Sequence, residues 1–342
     1  MMMKKISIFL AGLAMLVACN KNDVEIVKTI PADAQIILNI AGITAVSKAE
    51  ISEYQTSEEK KISVLNLAVY KSDPDKGYVY EWSKKFDKTQ SSYVITGLTA
   101  GDKTVVALAN ADISSFPETL DGFLALRSNL KENSADKLVM TGSVTCKAGT
   151  APEAATLSLN RIAAKFLVDG DIKTDWIDGG NHAFDVQAIY LANVTTEASY
   201  LYMGNEPSLN LRKDTEYTTD SGYKTLTVAE KVNWIPGQKF NGGVAFFGYP
   251  NASNKKVTVG GQQRGDTRTA VLIKATYDGN TCWYPLKIDQ EIKYNTIYHI
   301  GGITITCEGV PNPWDDFNRI MVKFNIEVVD WTYNNIYPEF EF

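Results

Sequence analysis

The sequence predicts a mainly β protein, built as β-sandwiches in two tandem halves. Short segments of period-two alternation recur along the chain, divided by Gly, Pro, Asn and Asp turns, which is the signature of sandwiches rather than of a βαβ fold. Only one stretch shows helical spacing, and it falls in the first half. The length of 342 residues fits two domains of roughly 100–200 residues each, with a divide near residue 160. At 44% hydrophobic and 22% charged residues, the composition is that of an ordinary globular chain with material for a core. The net charge of -6, with no basic cluster, argues against nucleic acid or an anionic membrane surface as the main partner.

The chain opens on "MMMKK", a positive segment, followed by the apolar "ISIFLAGLAML". That apolar run is too short to span a bilayer stably, so residues 1–18 read as a signal peptide rather than an anchor helix. Leu16-Val17-Ala18-Cys19 resembles a bacterial lipobox. A small residue before the cysteine admits the lipoprotein signal peptidase. The Cys19 sulfur then takes a diacylglycerol, whose hydrocarbon chains hold the protein to a membrane. Residues 20–33 read as a tether.

"AQIILNI" follows, with Ala34, Ile36, Leu38 and Ile40 on one face and Gln35, Ile37 and Asn39 on the other; this is strand periodicity. Residues 44–61, "TAVSKAEISEYQTSEEKK", are polar and read as a flexible, exposed loop. The strands "ISVLNLAVYKS", "YVYEWSKKF", "SSYVITGL" and "KTVVALANA" come next, the first two joined by the turn "SDPDKG". Phe123, Leu126 and Leu130 recur at helical spacing and predict one helix. "LVMTGSVTC" and "AATLSLNRIAAKFLVDGDI" return to strand. "FDVQAIYLANV", "KTLTVAEKV", "GGVAFFGYPN", "KKVTVGG", "RTAVLIKATYDG", "TCWYPLKI", "TIYHIGGITITCEG" and "IMVKFNIEVVDW" complete the second half.

The chain carries no catalytic motif: no G-x-S-x-G elbow, no P-loop and no H-E-x-x-H. It reads as a non-enzyme, with no cofactor and no metal. His182 and His299 lie far apart in sequence and read as structural residues. Asp73 and Asp75 share a loop, but the further ligands of a calcium loop do not follow, so a plain turn is expected. Arg264-Gly265-Asp266 reads as a chance match in a loop. Asp175 and Asp178 in "DWIDGGN" read as ordinary loop carboxylates. Trp176, Trp234 and Trp314 either stack on sugars or fill a core or an interface. Cys282 and Cys307 either pair in an exported protein or stay buried free thiols; with Cys146 the count left after Cys19 is odd.

The chain ends on "IYPEFEF", with Ile336, Pro338, Phe340 and Phe342 on one face. Both the early strand and this tail are amphipathic strands. A strand removed from a sandwich exposes unpaired backbone groups over an apolar floor. A tail from a second copy fills such a groove by β-strand addition, and because the two surfaces differ the contact propagates into a filament. The other reading of the tail is a last strand bonded within its own chain.

These segments, in this order, resemble the fimbrillins of Bacteroidetes, the subunits of type V pili. The resemblance runs from the lipobox and "AQIILNI" through "ISVLNLAVYKS", "LNRIAAKFLV", "VAFFGYPN" and "YNTIYHIGGITITCEGVPNP" to "FNIEVVDW", which ends at Trp331. It implies two transthyretin-like β-sandwich domains, residues 49–162 and 163–342, with a short helix in the first. It implies a lipidated propeptide, residues 19–48, whose plug strand carries Ile36, Leu38 and Ile40. It implies transport to the outer membrane through the lipid on Cys19. A trypsin-like protease then removes the propeptide, and the mature subunit joins extracellular fimbriae that serve cell adhesion. The donor tail, residues 332–342, enters the groove of another copy or a related pilin with Ile336, Phe340 and Phe342 as its knobs. Carried onto this chain, the cut falls between Lys48 and Ala49, with Lys60 and Lys61 as competing sites. The best-known members are cut after arginine, and this loop has none. The alternatives are an uncut base or accessory subunit, or a glycan-binding surface lipoprotein. The sequence names no surface ligand.

Overall fold

The structure is a computed structural model that describes residues 33–41, 54–195, 197–201, 225–228, 243–251, 256–259, 262–266, 268–313, 321–331 and 337–338. In the first half the elements are β1 (Ala34–Ala41), β2 (Lys61–Ile62), β3 (Leu65–Asp73), β4 (Gly77–Phe86), β5 (Ser92–Leu98), β6 (Gly101–Ala109), α1 (Leu120–Leu124), β7 (Arg127–Asn129), β8 (Met140–Ala148), β9 (Ala154–Ser158) and β10 (Asn160–Arg161). The second half comprises β11 (Ala164–Val168), β12 (Lys173–Thr174), β13 (Phe184–Ala192), β14 (Glu197–Ser199), β15 (Thr225–Val228), β16 (Val244–Gly248), β17 (Lys256–Val259), β18 (Gln262–Asp266), β19 (Ala270–Tyr277), β20 (Asn280–Lys287), β21 (Thr296–Ile305), β22 (Val322–Asp330) and β23 (Tyr337–Pro338). The fold is mainly β.

Four sheets make up the bulk. A three-stranded sheet in the order β5-β1-β9 faces a five-stranded sheet in the order β10-β8-β6-β3-β4. Leu65, Leu67 and Val69 of β3, with Val105 and Ala107 of β6, meet Ile36, Leu38 and Ile40 of β1 in the core between them. In the second half, β12-β21-β11-β16, extended by β22 on β21, faces β15-β13-β19-β20. Phe166 and Val168 pack there against Ile189, Ile273, Tyr284 and Ile300.

The near-continuous apolar runs of β3 and β6 have a cause the alternation rule does not supply. Their sheet is covered on both faces. Ala68, Tyr70, Val106 and Leu108 point to the opposite face, into a further cluster with Phe123, Ile162, Tyr200 and Tyr249. That cluster draws on both halves, as does the small pairing of β14 with β7. Residues Ala32–Phe342 accordingly form one compact unit.

Two expectations shift. The helix is a single short turn of chain, Leu120–Leu124, started by the Thr119 hydroxyl accepting from the Gly122 amide at 3.1 Å. It stops because Arg127–Asn129 pairs with β14. Leu126 and Leu130 still reach the same core, but not as helix residues. Arg264-Gly265-Asp266 lies within β18, paired with β17, rather than in a loop.

Candidate functional site

The early strand occupies an unusual place. β1 is the middle strand of its sheet and, among the described residues, the only strand joining β5 to β9. It runs antiparallel to β5, with Ile36 opposite Ile95 and Leu38 opposite Tyr93. It runs parallel to β9, with Leu38 beside Ala155 and Ile40 beside Leu157. Its alternation then places Ile36 and Leu38 at 0% exposure and Ile40 at 3%. Taking out such a strand leaves two unpaired edges about 10 Å apart, twice the spacing of neighbouring strands, over a floor of Leu65, Leu67 and Val105.

A second constellation lies where the first half meets the second. Arg161 ends the short β10, and Lys165 belongs to β11. Arg161 donates from Nε and Nη2 to the Glu59 carbonyl, at 3.3 and 3.0 Å, and from Nη1 to the Trp331 carbonyl at 3.1 Å. Its guanidinium also stacks over the Trp331 ring, 4.7 Å from the centroid. Lys165 Nζ donates to Glu59 Oε1 and to the Tyr54 carbonyl at 2.7 Å. Burial pulls the Arg161 pKa down to about 10, against the Glu59 charge that holds it up, so Arg161 stays cationic at neutral pH. Desolvation, then the Arg161 charge, lowers Lys60.

These bonds bind the segment from Tyr54 to Ile62 as a strap. Its Tyr54 ring lies tilted by 30° against His299, with centroids 4.6 Å apart, and the Tyr54 hydroxyl donates to Glu327 at 2.9 Å. At its far end, Asn110 Nδ2 donates to the Lys61 carbonyl at 2.7 Å and Asn110 Oδ1 accepts from the Ser63 amide at 2.8 Å. Trp331, the last residue before the tail, is fully buried and lies parallel to Phe247 at 6.0 Å. Its amide donates to the Asn295 carbonyl at 2.9 Å. Beyond it, Tyr337–Pro338 pairs in parallel with Lys61–Ile62.

A sequence model of the family described as major fimbrial subunit protein (FimA) matches residues 34–262. The chain belongs to the FimA family. Among solved structures it is similar to a fimbrilin (fimA) from Porphyromonas gingivalis W83, with a TM-score of 0.60 at 14% identity, covering 88% of this chain and 98% of that one. It is also similar to a candidate cell adhesion protein from Bacteroides eggerthii, with a TM-score of 0.59 at 15% identity and coverage of 88% and 97%. Another, from Parabacteroides distasonis, gives a TM-score of 0.57 at 16% identity, covering 88% and 97%. At these identities the likeness is one of fold. No curated protein matches the chain.

In this FimA-family chain the site residues expected from sequence divide into two groups. Ile36, Leu38 and Ile40 come together in the core under β1. Cys19, Lys48, Ala49, Ile336, Phe340 and Phe342 lie outside the described residues, as do Trp234 and Trp314. The expected loop at 44–61 needs correction from Tyr54 onward. Gln55, Glu59 and Lys60 are buried; Glu59 can leave water because the Lys165 ammonium pairs with its carboxylate and Arg161 donates to its carbonyl. The signal was present in "LNRIAAKFLV": two cations in an apolar run require an acceptor, and Glu59 provides it.

The remaining candidates have structural surroundings. Asp73 Oδ1 accepts from the Asp75 and Lys76 amides at 3.0 and 2.9 Å, making a turn. Trp176 sits edge-on to His182, Phe184 and Tyr277. His182 bridges Asp278 at 2.7 Å and Asp178 at 2.9 Å. Cys146, Cys282 and Cys307 are free thiols, and burial raises all three. Among the described residues, no group of three or more His, Cys, Asp or Glu is arranged to hold a metal.

Proposed function

We propose that the chain is a structural subunit of a fimbrial shaft, exported as a lipoprotein precursor through Cys19, polymerised by protease-triggered strand exchange, and serving cell adhesion. One observation carries this reading: among the described residues β1 alone bridges β5 and β9, and its buried face is made by Ala34, Ile36, Leu38 and Ile40. While β1 is in place the groove is full. Cutting the peptide bond between Lys48 and Ala49 separates β1 from the rest of the chain, so that only two ladders and four small or aliphatic side chains hold it. The tail of another copy then takes its place, with Ile336, Phe340 and Phe342 facing the core. Partners are other copies or related pilins, a trypsin-like protease, and the outer membrane through the lipid. The mature form belongs to extracellular fimbriae.

The test is brief trypsin treatment of the chain lacking residues 1–19, followed by unheated gel electrophoresis and N-terminal sequencing. A new terminus at Ala49 with a detergent-resistant ladder is the expected result. A clean cut without a ladder overturns the shaft reading and leaves the tail as a strand of its own chain. A second reading, an uncut base or accessory subunit, rests on one sequence fact: the segment 44–61 contains lysines and no arginine. The glycan-binding alternative receives no support from Trp176, which is packed among three other rings.

A further inference from the structure

Three lysines stand between β1 and β3: Lys48, Lys60 and Lys61. A trypsin-like protease has no chemical means of telling them apart. In each case water would add its hydroxyl to the lysine carbonyl carbon and its proton to the departing amide nitrogen. The choice must come from the substrate. We propose that the strap Tyr54–Ile62 makes processing a single cut, and that Lys165, with Arg161, is the specificity-determining grip that withholds Lys60 and Lys61. The inference rests on the processing reading above.

Three features of the strap argue for it. First, Lys60 is 1% exposed, so its side chain cannot enter a protease pocket without the strap opening. Its amide donates to the Ser57 carbonyl at 3.1 Å, inside a tight turn that no protease binds as an extended chain. Second, Lys61 is held at both ends. Its ammonium pairs with Glu58 at 2.8 Å, and its carbonyl accepts from Asn110. Third, the anchors on the far side are themselves buried. The Lys165–Glu59 pair is 3% and 2% exposed at the side chains, and Arg161 reaches the Glu59 carbonyl with two nitrogens. Cleavage of a folded segment follows the population of its opened form. The grip therefore sets the rate at the two inner lysines, which lie within the strap, whereas Lys48 precedes it in the sequence.

The arrangement also protects what the second cut would destroy. A break after Lys60 would free Tyr54–Lys60, uncovering Lys165 and removing one of the two carbonyls on Arg161. The other carbonyl belongs to Trp331, the root of the tail that must leave for a partner.

The experiment digests the full chain and its Lys165→Met variant with trypsin and follows the new N-termini by sequencing and intact mass over time. For the wild-type chain the expected outcome is one terminus, Ala49, persisting long after the first cut is complete. For Lys165→Met, termini at Lys61 or Ile62 should appear about tenfold faster than in wild type, as the opened form gains population. Wild-type termini at Lys61 or Ile62 keeping pace with Ala49 would overturn the inference, as would an unchanged single cut in the folded variant. Should Lys165→Met be cut throughout the chain, Glu59→Gln carries the same test, because it keeps the shape and removes the charge. Added cuts confined to 60–62 support the grip, and none overturns it. Failure of the underlying reading looks different. Without an Ala49 terminus, or with one that gives no ladder, the processing and assembly reading falls and takes this inference with it. A ladder from chains cut at both places sinks the strap alone.

Discussion

Gly142 of β8 shows how closely the first core is fitted. A Cβ there would stand 2.1 Å from the Ser158 carbonyl oxygen and 2.8 Å from a Leu157 methyl, at the end of β9. Neither backbone can give way, since β8 is bonded to β6 and β9 to β1. Gly142→Ala is expected to destabilise the uncut chain by about 1–3 kcal/mol, the range for overpacking, read as a lowered thermal midpoint. His182 gives a second residue-scale test. The hydrogen bonds that it donates to Asp278, then to Asp178, raise its pKa, so its stabilising share is whole below the ordinary histidine value and is lost as pH rises through the folded value. Asp178 is lowered mainly by the Gly180 amide and then His182, and Asp278 mainly by His182. Their share is whole above the ordinary carboxylate value and is lost as pH falls through the lowered ones. The staple is thus strongest from about pH 4 to about pH 6.5. In an NMR titration the His182 midpoint should lie above that of a free histidine, and Asp278→Asn should lower it.

At the scale of elements, β1 was legible because its residues alternate without a break, and a strand half-buried on one face writes itself in that pattern. The strap was not, because its chemistry is polar and polar runs ordinarily stay in water. The distant Arg161 and Lys165 make Glu59 a buried residue, and although two cations in an apolar run call for an acceptor, nothing in the strap itself says that it supplies one. The same holds for β7 and β14, which are too short to show a period. Leu38→Ala is expected to cost the uncut chain about 2–5 kcal/mol by denaturant unfolding. Once β1 is cut away, ladder formation from this variant should match wild type, which separates a plug residue from a general core residue. The tail gives the converse. Phe340→Asp should abolish the ladder while the uncut monomer melts at the wild-type temperature, since in the proposed assembly an aromatic knob contributes roughly 1.5–3 kcal/mol on entering the partner's groove.

Taken as a whole, the molecule is two facing sheet pairs whose cores draw on each other. Ile297 and Trp331 of the second half sit in the first core, and the Tyr249 hydroxyl meets Ser128 at 2.6 Å and Asn133 at 2.7 Å. The mainly β class could be read from strand spacing alone; this interlocking could not, because it depends on pairings between residues far apart in sequence. At this scale, a synthetic peptide of residues 332–342 added during processing should cap the opened groove. The detergent-resistant ladder on an unheated gel is then expected to collapse to single subunits carrying one peptide each. A ladder untouched by a large excess of peptide would count against tail-in-groove assembly.

One guanidinium has a mechanical meaning. Arg161 binds the Trp331 carbonyl, at the root of the tail, and the Glu59 carbonyl, ten residues after Ala49, the proposed new amino end. It also closes β10 against β8, the strand bonded along its length to β6 in the sheet that floors the groove. In a fibre of such subunits, tension arriving on the tail would pass through this residue into the sheet beneath the next grip. It would load strands along their length instead of peeling them one bond at a time, so each link would resist pulling as a unit.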